Sequence, residues 1–240
     1  MKISVVIPAF NEEKLLAGSL AALNVATAAF RDRGWNHETI VCDNNSTDLT
    51  PAIARSAGAL VVFEPVNQIA RARNRGASVA TGDWILFLDA DSHPSRELLA
   101  DLAEAILNGR CLGGGATVRF ESQAPAARLA GVWNFLSRVL RWAPGGFLYC
   151  RTDVFRELGG FSEELFVSEE IDFSRRLKRS ARRRGGRVTI LHRHPLLTSD
   201  RKLHLYTARE QWAFARNFLL NPGKVMRNRD ACPVWYDGRR

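Results

Sequence analysis

Asp89 and Asp91 follow an apolar run of four residues, 85–88, in the stretch ILFLDAD. Residues two apart on a β-strand face the same side, so both carboxylates are predicted to point into one crevice beyond the carboxyl end of that strand. Two neighbouring carboxylates repel each other unless a divalent cation lies beside them, and Mg²⁺ or Mn²⁺ also takes oxygens from a substrate's phosphates. The other interpretation is a solvated turn in which an aspartate caps the following helix.

Polar residues also lie at the ends of other predicted strands. The turn PAFNEE follows the first strand, and Asp43 follows the second, where its carboxylate could accept hydrogen bonds from a base or a ribose. The segment NQIARARNRGA places Arg71, Arg73 and Asn74 at a helix start, where positive charge and the helix dipole suit phosphate. Each group alone fits a cap or a turn, but together they outline a nucleotide pocket. Its candidate residues are Pro8, Ala9, Asn11, Glu12, Asp43, Arg71, Asn74, Asp89 and Ala90.

Short β-rich runs alternate with helical patterns over the first third of the chain. Such βα units are joined by right-handed crossovers, so the pattern predicts an α/β domain with a doubly wound, mainly parallel sheet. The predicted strands are 3–8, 37–44, 60–65 and 84–91, and the predicted helices between them are 11–34, 48–56 and 69–80.

Composition limits the class of protein. A chain of 240 residues with 46% hydrophobic content can bury a sizeable core. No apolar run approaches the roughly 18 residues that cross a bilayer, and the first residues lack the pattern of a secretory signal. The four cysteines are widely spaced without a CxxC pair, which indicates reduced, mostly buried thiols in a cytoplasmic protein.

The net charge is +9, and eight of the Arg and Lys residues lie between Arg175 and Arg187. An acidic stretch at 162–173 precedes this basic run. The run fits a nucleic-acid contact, a site for a phosphorylated ligand, an anionic membrane surface or a solvated helix face, and charge alone does not choose between them.

The segment 124–155 combines an amphipathic helix with a Pro-Gly-Gly turn. Such a helix can lie on a bilayer or cover the sheet as part of the core, and we favour the core position. Its apolar stripe consists of Leu129, Val132, Trp133, Leu136, Val139 and Leu140, flanked by Arg128, Arg138 and Arg141.

Five motifs in order give the chain its family resemblance: VVIPAFNEE, VCDNNSTDLT, ARARNRGASVATGDWILFLDAD, FRELGGFSEEL and SEEIDFSRRLKR. The chain resembles a family 2 glycosyltransferase of the GT-A fold over residues 3 to 180. The resemblance implies a Rossmann-like, mainly parallel sheet flanked by helices. It also implies a catalytic domain over 1–202, with a nucleotide-binding half (1–92) and an acceptor half (93–202), followed by a C-terminal helical extension over 203–240.

The same resemblance implies roles for the candidate residues. Ala9, Glu12 and Asp43 would hold the base and ribose, Asp89 the ribose or a metal-bound water, Asp91 the cation, and Arg71 the diphosphate. The family's catalytic base is commonly an aspartate, and its place in SEEIDF is taken by Glu170, so Glu169 and Asp172 remain candidates. Further along, His194 would complete the metal shell, and Arg201 and Lys202 would contact the diphosphate.

The implied reaction moves a sugar from a UDP-, GDP- or dTDP-sugar to a hydroxyl of a glycan, a lipid-linked acceptor or a small molecule, with Mg²⁺ or Mn²⁺. A carboxylate base favours inversion. Nucleic acid is not an expected partner, whereas peripheral contact with the inner face of the membrane and a homodimer stay open. One alternative is a nucleotidyltransferase, which would carry a Gly-rich basic loop where PAFNEE stands. The other is a nucleic-acid or anionic-surface binding module that uses the basic run.

Overall fold

The structure, a computed structural model, describes residues 1–120, 128–199, 201, 205, 207–232 and 236. Its first part alternates strands with helices, as the sequence predicts. The elements are β1 (Lys2–Ala9), α1 (Leu16–Ala26), α2 (Ala28–Arg31), β2 (Asn36–Asp43), α3 (Thr50–Ser56), β3 (Leu60–Phe63), α4 (Ile69–Ser78) and β4 (Trp84–Leu88).

Several of these elements are shorter than predicted, and two of the differences affect the strand ends. The helix expected over 11–34 starts at Leu16, because residues before it form a turn in which the Glu12 carbonyl accepts hydrogen bonds from two backbone N–H groups. The fourth strand ends at Leu88, so Asp89 and Asp91 lie in the turn that follows it.

The second part of the chain supplies four more strands and longer helices. The elements are β5 (Ser92–His93), α5 (Arg96–Leu107), β6 (Cys111–Phe120), α6 (Arg128–Leu140), β7 (Phe147–Arg151), α7 (Thr152–Glu157), α8 (Glu169–Arg183) and β8 (Arg187–Thr198). The C-terminal extension is helical, with α9 (Ala208–Leu220), α10 (Pro222–Met226) and a 3-10 turn (Arg229–Ala231).

The strands form one eight-stranded sheet in the order β3-β2-β1-β4-β7-β6-β8-β5. Strands β3, β2, β1 and β4 are parallel, and β4 is buried along its whole length, as parallel strands covered on both faces usually are. Strand β7 runs antiparallel to β4, with Phe147 opposite Leu88. The start of β7 therefore lies at the edge where the parallel strands end.

Each face of the sheet carries its own hydrophobic core. One core packs α1, α2 and α5 against the sheet, and the other packs α4, α7 and α8. The second core contains four phenylalanines with ring centroids 4.9 to 5.6 Å apart between contacting pairs. These rings are Phe87, Phe155, Phe161 and Phe173, and they form a rigid wall behind the carboxyl edge of β4.

The expectation that the apolar stripe of α6 belongs to the core is wrong for most of its described side chains. Val132, Leu136 and Val139 are 59%, 39% and 60% exposed, whereas Trp133 and Leu140 are half-buried. Phe135, next to the stripe, is 65% exposed, and Ser137 on the other side is buried. The buried side of α6 is tied down by polar contacts instead: the Asn134 amide donates to the Val118 carbonyl and accepts from the Val118 N–H. These bonds fix the rotation of the helix and direct its apolar side outward.

All four cysteines are free and buried, as predicted. Within the described residues, no helix combines the length and the apolar character that crossing a membrane requires.

Candidate functional site

Two adjoining cavities open where the parallel strands end. The first, which we call the strand-end cavity, has a volume of about 610 Å³, and the second, the glutamate cavity, about 520 Å³, both including their open mouths. Asp89 and Ile69 line both cavities, so ligands in the two can meet at Asp89. Six predicted residues line the strand-end cavity: Pro8, Ala9, Glu12, Asp89, Ala90 and Asp91.

Asn11 and Asp43 shape the rim of the strand-end cavity and do not line it. The Asn11 side chain accepts a hydrogen bond from the Thr47 N–H at 2.8 Å, and its backbone has the left-handed φ of 52° that asparagine tolerates. The Asp43 carboxylate accepts the Ser46 N–H at 3.0 Å, which closes a turn. These bonds hold the loops after β1 and β2 against each other.

Asp91 has the properties of a cation ligand. The residue is only 6% exposed, and none of the described residues donates a hydrogen bond to its carboxylate. A buried carboxylate needs a compensating partner, and a hard cation held by one or two carboxylates plus substrate phosphates meets that need. The neighbouring Asp89 supplies a second carboxylate, and no third His, Cys, Asp or Glu joins them among the described residues. The donor set therefore fits one Mg²⁺ or Mn²⁺ whose remaining ligands come from the substrate and water.

Glu12 faces the strand-end cavity with a partner from the distal part of the chain. The Arg201 guanidinium donates from Nη2 to both Glu12 carboxylate oxygens at 2.8 Å, and the Glu12 N–H donates to Thr50 at 2.7 Å. The predicted diphosphate contact Arg201 is therefore held next to a residue of the cavity wall, although it does not itself line the cavity. Lys202 lies outside the described residues.

Arg73 organises the glutamate cavity. Its side chain is 2% exposed and donates to Glu169 at 2.6 Å, to Asp89 at 3.1 Å and to the Gly145 carbonyl at 2.9 Å. The guanidinium also lies 5.4 Å from the ring centroid of Phe161. A Cβ at Gly145 would come within 3.1 Å of the Arg73 Nη2, so glycine permits this approach. One buried arginine therefore connects the carboxylate shared by both cavities with the first residue of α8.

The two glutamates of the cavity hold protons more tightly than usual. Burial and the neighbouring Glu170 raise the pKa of Glu169 to about 8, although Arg73 acts in the opposite direction. Burial also raises the pKa of Glu170, against the lowering effect of Arg73. The two carboxyl groups influence each other's pKa, so they titrate as a pair. Glu169 is almost fully buried and Glu170 is partly exposed to the cavity.

The start of α8 brings Glu169 and Glu170 together and leaves Asp172 outside. Helical spacing predicts Glu169 and Asp172 on one face of α8 and Glu170 on another. The cavity lies at the start of this helix and is lined by the residues that lead into it, including Ser168, whose φ is left-handed at 65°. Both glutamates then line the glutamate cavity, whereas the Asp172 carboxylate pairs with Arg176 at 2.8 Å on the outer side.

Three other candidates lie away from both cavities. Arg71 is 37% exposed and pairs with Glu163 at 2.8 Å and Glu64 at 3.4 Å. Asn74 holds the backbone of Phe161 by one accepted and one donated hydrogen bond, both 2.9 Å. The His194 Nδ1 lies 3.1 Å from an Asp101 carboxylate oxygen, and neither residue lines a cavity.

The sequence reasoning missed the role of Arg73 and the contribution of the distal chain. Arg73 shares a helix stripe with Ala70 and Ala77, both buried, and a charge on a buried stripe is a signal that it needs partners. Tyr236 lines the strand-end cavity, with its hydroxyl donating to the Phe166 carbonyl at 2.9 Å, and no local pattern marks it. The other residues missed are Phe10, Asn44, Asn67 and Ile69 in the strand-end cavity, and Gly145, Gly146, Phe166, Val167 and Ser168 in the glutamate cavity.

Among curated proteins, the chain is similar to dolichol-phosphate mannosyltransferase of Pyrococcus furiosus. The two are 32% identical over 117 residues, which is 45% of this chain and 31% of that protein. It is also similar to an uncharacterized glycosyltransferase of Mycobacterium bovis, with 33% identity over 137 residues, 57% of this chain and 55% of that protein. The matches thus span about a third to a half of the length of these relatives.

Among solved structures, the mannosyltransferase PcManGT from Pyrobaculum calidifontis, in complex with GDP-Man and Mn²⁺, superposes with a TM-score of 0.68 at 20% identity, covering 98% of this chain and 67% of that chain. This similarity confirms the predicted α/β fold of the GT-A type. The model of the family described as glycosyl transferase family 2 matches residues 4–156. Since that match covers more than half of the chain, the protein belongs to glycosyl transferase family 2.

Proposed function

We propose that the protein transfers a sugar from a nucleoside-diphosphate sugar to an acceptor hydroxyl with inversion, using a divalent cation. The observation that carries the proposal is the shared wall at Asp89: a cavity with Asp91 on one side meets a cavity with two glutamates on the other. Such an arrangement brings a phosphate-bearing donor and a proton acceptor to opposite sides of one reacting centre.

The strand-end cavity is the proposed donor site. Its walls come from the loops after parallel strands, where α/β sheets bind nucleotides. The base and ribose would lie against Pro8, Ala9 and Glu12, with the diphosphate directed to Asp89 and Asp91. The similar fold of PcManGT, which holds GDP-Man and Mn²⁺, supports this placement.

Asp91, with Asp89 beside it, would hold the cation. A bound Mg²⁺ or Mn²⁺ would offset the negative charge that gathers on the leaving diphosphate. Arg201 is a cationic side chain held next to the wall of this cavity by its pair with Glu12. Arg201 would exchange part of that pairing for the diphosphate when the donor binds.

Glu170 is the proposed base. Glu169 is held by Arg73 at 2.6 Å and is almost fully buried, and Asp172 lies outside the cavity, which leaves Glu170 as the carboxylate that can meet an acceptor. Burial raises the pKa of Glu170, which strengthens its affinity for the proton that a base must accept. Arg73 then acts as a positioning residue, since it fixes Glu169 and Asp89 around the base.

The reaction breaks one bond and forms one bond at the anomeric carbon. The acceptor oxygen attacks this carbon, its proton passes to Glu170, and the bond to the nucleoside diphosphate breaks with the electron pair leaving on the phosphate oxygen. Attack opposite the leaving group inverts the configuration of the anomeric carbon.

Thermal-shift titration with UDP, GDP, dTDP and CDP, each with and without Mn²⁺, tests the donor site. A ligand that binds only the folded state raises the unfolding midpoint by mass action. We expect one nucleoside diphosphate to do so in a Mn²⁺-dependent manner, and the Asp91→Ala variant to lose this dependence. Asp32→Ala, at an exposed ion pair with Arg96, is the control and should respond as the unmodified protein does.

An absence of any Mn²⁺-dependent response, or an unchanged response in Asp91→Ala, would refute the assignment of the donor site. Product analysis with the matching sugar nucleotide then establishes the configuration at the anomeric carbon, and retention would refute the single-displacement mechanism.

A further inference from the structure

The outward side of α6 is an apolar surface without a partner among the described residues. Val132, Phe135, Leu136 and Val139 follow the i, i+3, i+4, i+7 spacing of one helix face, and each is at least 39% exposed. The contacts of Asn134 with Val118 anchor the opposite side of the helix to β6. The helix therefore presents a continuous apolar face in a fixed orientation, which marks a binding surface.

A basic stripe on α8 adjoins this apolar face. Arg175, Lys178, Arg179 and Arg182 recur at helical spacing, and within the described part of the chain none of them has a carboxylate within ion-pair distance. The stripe meets the end of α6 directly: the Lys178 ammonium donates to the Leu140 carbonyl at 3.0 Å, and the Arg175 guanidinium lies 5.1 Å from the ring centroid of Trp142. Apolar and positive surfaces are thus held side by side.

We infer that the apolar face of α6 and the basic stripe of α8 dock the protein on an anionic lipid bilayer. An amphipathic helix buries its apolar side at the boundary between headgroups and acyl chains, and nearby Arg and Lys side chains are attracted to anionic headgroups. A second copy of the chain could cover the apolar side chains of α6, but an isologous contact through this face offers the basic stripe no anionic partner. A nucleic acid offers phosphates to the stripe but nothing to the four apolar side chains.

Docking in this way brings the glutamate cavity close to the membrane. Only a short segment joins α6 to Gly145 and Gly146, which line that cavity, and in this segment the Ala143 N–H donates to Ser174 of α8 at 3.0 Å. The geometry points to an acceptor hydroxyl carried on a lipid in the same bilayer. This identification of the acceptor class rests on the proposed function, whereas the docking surface does not.

Vesicle flotation with the full chain tests the docking surface. The probes are vesicles of phosphatidylcholine alone and vesicles in which about a third of the lipid is phosphatidylglycerol. We expect stronger binding to the anionic vesicles. Phe135→Ser with Val139→Ser should weaken it roughly 100-fold, from the loss of two apolar insertions. Arg179→Gln with Arg182→Gln should weaken it roughly 20-fold.

Matched controls carry the same kinds of substitution at exposed positions outside α6 and α8. Val25→Ser with Leu107→Ser removes two side chains that are 69% and 62% exposed, and Arg31→Gln with Arg55→Gln removes two exposed charges. Both controls should bind anionic vesicles within about twofold of the unmodified protein. Unfolding midpoints of all variants, measured in parallel, confirm that each is folded.

Three results would overturn the docking surface. The first is no binding to anionic vesicles, and the second is an equal loss of vesicle binding in the α6 variant and its control. The third is that the α6 substitutions change only the self-association of the protein, measured by sedimentation velocity. The nucleotide thermal shift, recorded on the same variants, separates this inference from the proposed function. If the nucleotide thermal shift is retained but the protein does not bind vesicles, the docking surface is refuted and the proposed function is not.

Discussion

The two cavities differ in how they balance charge. In the strand-end cavity the Asp91 carboxylate receives no hydrogen bond from the described residues, and Glu12 is paired with an arginine from the distal chain. In the glutamate cavity Arg73 compensates Glu169 and Asp89 internally, and burial raises the pKa of both glutamates, with Glu170 adding to the rise at Glu169. This difference supports our proposal that the first cavity takes a ligand that brings its own charge and a cation, and the second a neutral ligand that gives up a proton.

If the two cavities have these separate roles, nucleotide binding and sugar transfer should respond to different substitutions. Substitutions in the strand-end cavity should remove nucleotide affinity, whereas substitutions of the glutamates should leave it intact and stop the transfer. The following predictions test that separation, from the largest expected effect to the smallest.

Glu170→Gln should lower kcat by about 10²–10⁴-fold, because the amide cannot accept the proton of the acceptor hydroxyl. The nucleotide-induced thermal shift should be unchanged, since Glu170 does not line the strand-end cavity. Asp172→Asn, on the outer side of α8, is the matched control and should keep kcat within a few-fold. A larger loss in Asp172→Asn than in Glu170→Gln would reverse the assignment of the base.

Asp91→Asn should lower kcat/KM by roughly 10²–10³-fold, because it weakens the charge compensation of the leaving diphosphate. Unlike Glu170→Gln, it should also abolish the Mn²⁺ dependence of nucleotide binding in calorimetric titration. If Asp91→Asn lost turnover but kept Mn²⁺-dependent nucleotide binding, the proposal that the strand-end cavity binds the nucleotide through a cation at Asp91 would be wrong.

Arg73→Met should destabilise the fold by about 3–5 kcal/mol in urea unfolding, because it leaves buried carboxylates without their partner. Arg71→Met, two residues along the same helix, removes only a partly exposed arginine and should cost less than about 1 kcal/mol. Equal losses in the two variants would show that burial of the Arg73 network contributes little to stability.

Two glutamates, Glu169 at the start of α8 and Glu38 on β2, should make the free energy of unfolding depend on pH in opposite directions. The pKa of Glu169 is raised from 4.5 to about 8 by burial and by Glu170, so its favourable contribution is complete below pH 4.5 and is lost as pH rises to 8. Burial would also raise the pKa of Glu38 on β2, but hydrogen bonds from Lys2, Ser4 and Thr81 together lower it to about 2. The contribution of Glu38 is therefore complete above pH 4.5 and is lost as pH falls to 2.

Urea unfolding of Glu169→Gln and Glu38→Gln across this pH range measures each contribution separately. Glu169→Gln should flatten the alkaline side of the stability profile and Glu38→Gln the acid side. An unchanged alkaline side in Glu169→Gln would contradict the raised pKa of the buried glutamate.

The parallel part of the fold could be predicted from the sequence because its signals are local. Apolar runs for β1 and β4, helical spacing of leucines in α1 and turn residues between them predict these elements directly. The predicted co-location of Asp89 and Asp91 was confirmed, but for a different reason: both follow the end of β4 in a turn and are not successive residues of one strand face.

The antiparallel part could not be predicted in the same way. Nothing local to β7 shows that it pairs antiparallel with β4, and this pairing is what brings Gly145 and Gly146 to Asp89. The apolar spacing of α6 predicted an amphipathic helix, but the side that packs was decided by the polar contacts of Asn134 with a strand sixteen residues earlier.

The sequence by itself determined the βα order, the strand-end carboxylates and the family, since each depends on residues close together in the chain. Only the tertiary structure decided that Arg73, Asp89 and Glu169 form one buried network across 96 residues of chain, and that Tyr236 closes a cavity built by β1 and β4. The physical reason is desolvation: burial makes an unpaired charge costly, so the partners of each charge are chosen by what the fold brings within hydrogen-bonding distance.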